Sequence, residues 1–236
     1  MQRTFILLFL FIGGALFAQK PLPLLHLGVG TSVPVLAYSS PSLEKGCFTT
    51  TGLATNVAVS TTIVGSWGLM AAGGFYLHPV DVSYLGYEKV QSDPFLMDVT
   101  IRSEPYRIMS FMAGPMYRKE VSNGFNLQLA ALMGLFSSRT PHQIYKPQYF
   151  LVGPEFFEIT SSLDRSIAWG AFASMSYAIT PSYHLALETS FLQTNAAFLF
   201  YTGGGTLRTD QRTISMVNIA LALQLKLPSW PTKATQ

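Results

Sequence analysis

The stretch ISMVNIALALQLK, residues 214–226, alternates large aliphatic side chains with small or polar ones. One face carries Val217, Ile219, Leu221, Leu223 and Leu225, and the other carries Asn218, Ala220, Ala222, Gln224 and Lys226. A helix would require apolar residues three and four positions apart, so the period of two predicts a β-strand. An aliphatic face opposite a small, amide-bearing face is typical of a strand that separates lipid from a lumen.

Seven further segments have the same character, and each has about the 9–11 residues that a membrane-crossing strand needs. They are residues 25–35, 51–61, 67–77, 107–117, 125–136, 167–177 and 184–194. The segment 107–117 has apolar residues on both faces, and we expect Met109, Phe111 and Tyr117 to point outward. The eight segments predict an all-β chain.

The connections between these segments alternate in length. Residues 62–66, 118–124 and 178–183 are short links with turn-forming residues such as Asn123-Gly124, whereas the other four connections are long and polar. Outer-membrane barrels have short periplasmic turns and longer outer loops. The alternation therefore predicts which end of the barrel faces out.

The composition also favours a membrane protein. Charged residues make up 11% of the 236 residues, against about 25% in a soluble domain. No stretch after the N-terminus has the roughly 20 apolar residues of a spanning helix, and only helices and closed barrels satisfy every backbone group in lipid. The net charge of +3 is too small to predict binding to nucleic acid.

The N-terminus resembles a secretory signal. Arg3 precedes the apolar run 5–12, and Ala18 offers a small residue for cleavage before Gln19. The alternative, a membrane anchor, would need a longer run. We therefore predict a signal peptide at residues 1–18, a barrel at 19–228 and a short periplasmic tail at 229–236.

With these features the chain resembles the small bacterial outer-membrane β-barrel domains, the group that holds the OmpA-, OmpX- and PorT-like barrels. The resemblance covers about residues 20–228 and includes the run Phe111-Met112-Ala113-Gly114-Pro115 and the strand–turn–strand at 171–187. It implies insertion into the bacterial outer membrane by the barrel-assembly machinery, which reads the final strand. The chain departs from the pattern because Pro228 to Gln236 continue beyond that strand.

The resemblance and the strand count imply a closed antiparallel up-and-down transmembrane β-barrel of eight strands. Ten strands are the alternative, because residues 95–101 and 149–160 are apolar enough to form two more. Those two segments could instead extend the fourth and sixth strands above the membrane.

Several polar residues are predicted to point into the lumen near its periplasmic end. They are His26, His184, Glu188, Gln224 and Lys226. Buried charges are normally paired, so we expect a structural network that fills the lumen. The alternative is a catalytic His–Glu pair or a proton path. As a catalytic pair His184 and Glu188 lie four residues apart on one strand, about 13 Å, and cannot touch. Barrel deacylases of lipid A carry a His-x-Ser pair, which this sequence lacks.

Aromatic residues are concentrated in the connection 138–164. They are Tyr145, Tyr149, Phe150, Phe156 and Phe157. They could form a contact surface for a partner, or pack the loops onto one another, and we favour packing. The four histidines lack metal-ligand spacing, and no cofactor motif is present. The lone Cys47 cannot form an internal disulfide.

The leading hypothesis is a non-enzymatic integral outer-membrane barrel with a structural or binding role. Its expected contacts are membrane lipid and the assembly machinery, with no specific partner identified. The alternatives are a lipid-modifying enzyme embedded in the membrane, a narrow channel, or a soluble lipocalin-like barrel. The last would need an apolar interior, which the small and polar face of residues 214–226 argues against.

Overall fold

The structure is a computed structural model that describes residues 23–44, 46–150, 156–201 and 206–227. The predicted signal peptide and the predicted tail lie outside these residues. Within them the chain forms eleven strands and one α-helix. The strands are β1 Leu24–Pro34, β2 Gly52–Val64, β3 Trp67–His78, β4 Leu96–Ser103, β5 Tyr106–Ser122, β6 Phe125–Arg139, β7 Gln143–Tyr149, β8 Phe157–Ile159, β9 Leu163–Ala178, β10 Tyr183–Tyr201 and β11 Leu207–Lys226. The helix α1 is Val82–Ser92.

Eight of the strands form a closed barrel in the order β1-β11-β10-β9-β6-β5-β3-β2. The barrel closes because β1 pairs with both β11 and β2, and every neighbouring pair is antiparallel. Strands that are consecutive in the wall are also consecutive in the chain once β4, β7 and β8 are set aside. The prediction of an eight-stranded up-and-down barrel is confirmed.

The ten-stranded alternative is wrong. Strand β4 pairs with β7, and β7 pairs with β8, so the apolar segments near 95–101 and 149–160 form a separate three-stranded sheet. They do not extend the wall strands either, because β4 and β7 satisfy their backbone groups against each other. Helix α1 packs on β4, and Phe48, Leu85, Ile101 and Tyr145 form the core between the helix and the sheet.

The two ends of the barrel differ. At one end, called here the turn end, the connections are Gly65–Ser66, Asn123–Gly124 and residues 179–182. Gly65 and Gly124 have φ of +56° and +83°, which glycine adopts without strain. Leu24 pairs with Lys226, so both ends of the described chain also lie here. The opposite end, the outer end, carries the long connections, α1 and the three-stranded sheet.

Strands β10 and β11 rise beyond the rest of the wall. They pair with each other as far as Tyr201 and Leu207, whereas β9 stops pairing with β10 at Thr194 and β1 stops pairing with β11 at Met216. The upper hairpin therefore stands beside the three-stranded sheet and α1, which together are called the cap. No helix of the described residues is long and apolar enough to cross a membrane.

Candidate functional site

The outer surface of the wall is mainly aliphatic. The lumen combines small and polar side chains with a cluster of large apolar ones, which includes Ile108, Met112, Phe136 and Met216. On β11 the leucine at position 221 is 61% exposed, while its neighbour Ala222 is 2% exposed. Asn218 and Gln224, which are polar, are buried inside the barrel. On β5 Met109 and Phe111 are among the exposed residues, in agreement with the outward face expected from the sequence. The exposed leucines separate this wall from that of a water-soluble barrel, which would present polar groups on its outer surface.

Aromatic pairs mark the border of this aliphatic wall. At the turn end the rings of Trp67 and Tyr117 lie 5.2 Å apart, and those of Phe125 and Tyr177 lie 4.8 Å apart. All four residues are on the outward face. Amphipathic rings favour the membrane–water interface and form girdles around transmembrane barrels. The pairs therefore place a membrane boundary near the short turns.

A polar network centred on Glu188 fills the lower half of the lumen. His26 Nδ1 lies 2.8 Å from Glu188 Oε1, and Asn56 Nδ2 donates to Glu188 Oε2 at 2.8 Å. Gln224 Nε2 donates to Glu188 Oε1 at 3.4 Å and to Ser174 Oγ at 3.1 Å. The carboxylate is buried, and both of its oxygens have partners, as a buried charge requires.

The network continues across the lumen to β5 and β6. His26 Nε2 lies 2.8 Å from Ser60 Oγ, and Arg118 Nη2 donates to the same oxygen at 2.9 Å. Arg118 also donates to the side-chain oxygen of Gln128. These contacts run from wall to wall, so side chains block the lumen at this level.

Of the five residues predicted for the lumen, the structure brings His26, Glu188 and Gln224 together. His184 and Lys226 lie nearer the turn end, where they line a separate cavity of about 260 Å³. Both nitrogens of His184 are buried and have no hydrogen-bond partner among the described residues. The two positions differ because His184 is four residues below Glu188 on the same strand.

The outer mouth of the lumen is closed by Tyr38, which lies in the 3-10 turn Leu36–Tyr38 and is fully buried. Its ring makes edge contacts with His78 at 5.2 Å and Tyr106 at 5.7 Å between centroids. His78 Nε2 lies 3.0 Å from Ser32 Oγ on β1, two strands along the wall from His78. These aromatic contacts separate the lumen from the space under the cap.

A larger cavity of about 690 Å³, called here the outer pocket, lies between this mouth, the cap and the upper hairpin. The cap contributes Leu85, Tyr145 and Ile159, and the barrel contributes Tyr106 and Phe198 among others. Ligand pockets typically have about 300–1,000 Å³ and are mainly apolar with a few polar groups. Both the size and the aromatic lining of the outer pocket fit that description.

Charged groups line the outer pocket on two sides, the upper hairpin and α1. Arg212 Nη2 lies 2.9 Å from Asp210 Oδ2, and Arg212 Nη1 donates to the carbonyl oxygen of Gly46 at 2.8 Å. Lys89 Nζ lies 5.0 Å above the centre of the Tyr145 ring, and burial lowers the pKa of this lysine. Arg208 has no ion-pair partner within the described residues. The pocket thus offers cations beside aromatic rings.

Cys47 also lines the outer pocket and is buried. Burial is the main cause that raises the pKa of its thiol to about 11, so the thiol stays protonated at neutral pH. A protonated thiol is a poor nucleophile and a poor metal ligand. The structure therefore gives Cys47 a packing role in the pocket wall.

No protein-family model and no curated protein matches the chain. Among solved structures it is similar to Neisserial surface protein A, with 11% identity, coverage of 89% of this chain and 100% of that chain, and a TM-score of 0.48. It is also similar to Ail, the attachment invasion locus protein of Yersinia pestis, with 13% identity, 88% and 100% coverage and a TM-score of 0.45. A major outer membrane protein from Thermus thermophilus has 10% identity, 86% and 98% coverage and a TM-score of 0.44.

Likenesses at these identities concern the fold alone, so the assignment depends on the chain's own geometry. The strand order closes the ring, and the leucine side chains cover its outside. The chain is a transmembrane β-barrel. Its backbone groups are paired around the whole ring, which is what lipid demands of a spanning sheet.

Sequence reasoning missed one arrangement inside this transmembrane β-barrel. Ser60, His26 and Glu188 are hydrogen-bonded in the order found in Ser–His–acid hydrolases. All three side chains are nevertheless buried, and the cavity beside Glu188 has only about 20 Å³, room for about one water molecule. Ser60 had no sequence signal, because serine is common on lumen-facing strand positions.

The five loop aromatics fall into two groups in the transmembrane β-barrel. Tyr145 is buried in the cap and stacks on Phe157, with 4.7 Å between ring centres. Burial raises the pKa of Tyr145 to about 12, and its hydroxyl donates to Gln143 Oε1 at 2.7 Å. Tyr149 is half-buried, whereas Phe150 and Phe156 are exposed. Tyr145 is thus the member of the set that lines the outer pocket.

Proposed function

We propose that this chain is an integral protein of the bacterial outer membrane that binds a ligand in its outer pocket. The observation that carries the proposal is the cavity of about 690 Å³ bordered by the cap, the barrel mouth and the upper hairpin. The short turns and the strand ends lie at the opposite end, which corresponds to the periplasmic side in outer-membrane barrels. The pocket would therefore face the outside of the cell.

The construction of the cap supports a binding role rather than a purely structural one. A protein that only stabilises the envelope has no need of a sheet and a helix above its mouth. Here α1 and the three-stranded sheet share a core of their own, which holds the roof at a distance from the barrel. Tyr38 seals the floor, so a ligand in the outer pocket would be held and not passed through.

Filling the outer pocket is expected to abolish binding of a small ring-bearing probe. Thr160 lines the pocket, whereas Thr209 on the upper hairpin is exposed and does not line it. The probe is phenyl β-glucoside, a neutral and water-soluble molecule, followed by saturation-transfer NMR with the full chain refolded in lipid nanodiscs. The phenyl signals should receive saturation with the unmodified chain and with Thr209→Trp, but not with Thr160→Trp.

Thr209→Trp adds the same side chain outside the pocket, so it controls for the bulk of the tryptophan and for binding of the probe to lipid. Equal saturation in Thr160→Trp and the unmodified chain would contradict a binding site in the outer pocket. Retention of the heat-dependent electrophoretic shift in each variant checks that the barrel has folded.

The hydrogen-bonded series Ser60–His26–Glu188 favours a second candidate function, a lipid-modifying hydrolase. We expect this activity to be absent, because an acyl substrate has no room beside a serine that is 1% exposed. Arg118 also donates to Ser60 Oγ and occupies the approach to it. An alkyl fluorophosphonate should leave Ser60 unlabelled in the folded chain by mass spectrometry. Labelling that disappears in Ser60→Ala would establish the hydrolase instead.

A further inference from the structure

The cavity of about 260 Å³ at the turn end is separate from both the Glu188 network and the outer pocket. It lies inside the ends of the wall strands, close to Gly124 and Ala178 of the short turns. The polar and charged residues that face it are Arg118, Glu120, Asn126, Ser176, His184 and Lys226. The cavity has room for a small polyatomic ion together with several waters.

His184 is the unusual member of this set. Its side chain is 5% exposed, and neither ring nitrogen has a hydrogen-bond partner in the described parts of the chain. Buried polar groups in folded proteins are almost always hydrogen-bonded. Both nitrogens therefore need a partner from outside the described residues, and the cavity that His184 lines is the place for it.

The charged side chains around His184 indicate that the missing partner carries a negative charge. Lys226 has no carboxylate partner among the described residues. Arg118 makes both of its described side-chain hydrogen bonds through Nη2, so its remaining N–H groups are available. The carboxyl group that faces the same cavity is that of Glu120, so two basic side chains, Arg118 and Lys226, oppose one acidic one.

We propose that this turn-end cavity binds a small oxyanion, a phosphate or carboxylate group, between His184, Arg118 and Lys226. Arginine and lysine are the usual partners of such groups, and their hydrogen bonds to an anion are charge-assisted. A histidine N–H completes the donor set. The anion would come either from solution or from the headgroup of a lipid at the membrane boundary marked by the aromatic pairs.

The test is a titration with inorganic phosphate of the full chain refolded in dodecyl maltoside, followed by the ³¹P line width of the phosphate. We expect saturable broadening with the unmodified chain. Lys226→Gln and His184→Phe should each weaken the apparent affinity by about tenfold, the usual effect of losing one charge-assisted hydrogen bond. Glu120→Gln should strengthen it, since the opposing carboxylate is removed.

Lys119→Gln is the matched control for charge. Lys119 is exposed, and it alternates with Arg118 and Glu120 so that it does not line the cavity. Its loss should leave the affinity unchanged. Broadening that does not saturate, or that is the same in His184→Phe and Lys226→Gln as in the unmodified chain, would mean that the cavity holds only water and would overturn the proposal.

Two further measurements distinguish the sources of the anion. If phosphate from solution is the ligand, its apparent affinity should be the same in nanodiscs of phosphatidylglycerol and of phosphatidylcholine. If a lipid headgroup is the ligand, nanodiscs containing phosphatidylglycerol should suppress phosphate binding, whereas discs of phosphatidylcholine with its zwitterionic headgroup should not. His184→Phe buries no unpaired polar group, and a retained heat-dependent electrophoretic shift shows that the variant has folded.

Discussion

Replacing Glu188 by alanine is expected to destabilise the barrel by about 3–5 kcal/mol. The carboxylate accepts hydrogen bonds from Asn56 and Gln224 and pairs with His26, and all of these groups lie within the lumen. Its removal leaves donors without an acceptor in a site that water scarcely enters, and each such group costs about 1–3 kcal/mol. The measurement is urea unfolding of the chain in lipid vesicles, followed by tryptophan fluorescence.

Glu104→Ala is the control for this substitution. Glu104 also pairs with a cation, since Arg107 Nη2 lies 3.3 Å from its Oε2, but both side chains are nearly half exposed. Surface pairs of this kind contribute at most about 1 kcal/mol. Equal effects of Glu188→Ala and Glu104→Ala would show that the lumen network does not stabilise the barrel.

Replacing Leu221 by arginine is expected to destabilise the barrel by about 2–4 kcal/mol. Leu221 points outward in the middle of the part of β11 that pairs with β1, between Val29 and Leu187 on the two adjacent strands. A guanidinium group at this depth would have to leave water and enter the acyl chains. The same vesicle-based unfolding measurement applies, with the electrophoretic shift as an independent readout of folding.

Leu207→Arg is the matched substitution on the same strand. Leu207 is also exposed, but it lies at the tip of the upper hairpin, beyond the end of the barrel wall. An arginine there would remain in water, so the expected change in the free energy of unfolding is below about 1 kcal/mol. A large effect at Leu207 together with none at Leu221 would contradict the placement of the membrane around the barrel.

The wall of the barrel could be predicted because its signal is local. In a β-strand successive side chains point to opposite faces, so the order of residues alone fixes which of Asn218 and Ile219 faces lipid. The same rule assigned the faces of β5, where apolar residues occupy both sides. The short turns were also visible locally, since the backbone conformation at Asn123-Gly124 depends on those residues themselves.

The cap could not be predicted, because its pairings join distant segments. Ile101 of β4 pairs with Tyr145 of β7, and the residues of neither strand indicate that the other is its partner. An apolar segment next to a barrel strand fits equally well as a further wall strand, as an extension of the wall, or as part of a separate sheet. The pairing of β4 with β7 and the packing of α1 on β4 decided for the third.

The polar residues of the lumen show what could be predicted from the sequence and what could not. The alternation of residues along the strands placed His26, His184 and Glu188 inside the barrel, and this placement followed from the period of two alone. The sequence could not predict which histidine contacts the Glu188 carboxylate. In the strand register Glu188 pairs with Ala220, and Ala220 pairs with Gly30 and not with His26. Strands in a membrane barrel tilt by about 35–45°, which brings residues several positions out of register to the same height in the lumen. That tilt is a property of the closed ring, so the tertiary structure alone joined His26 to Glu188 and left His184 facing an open cavity.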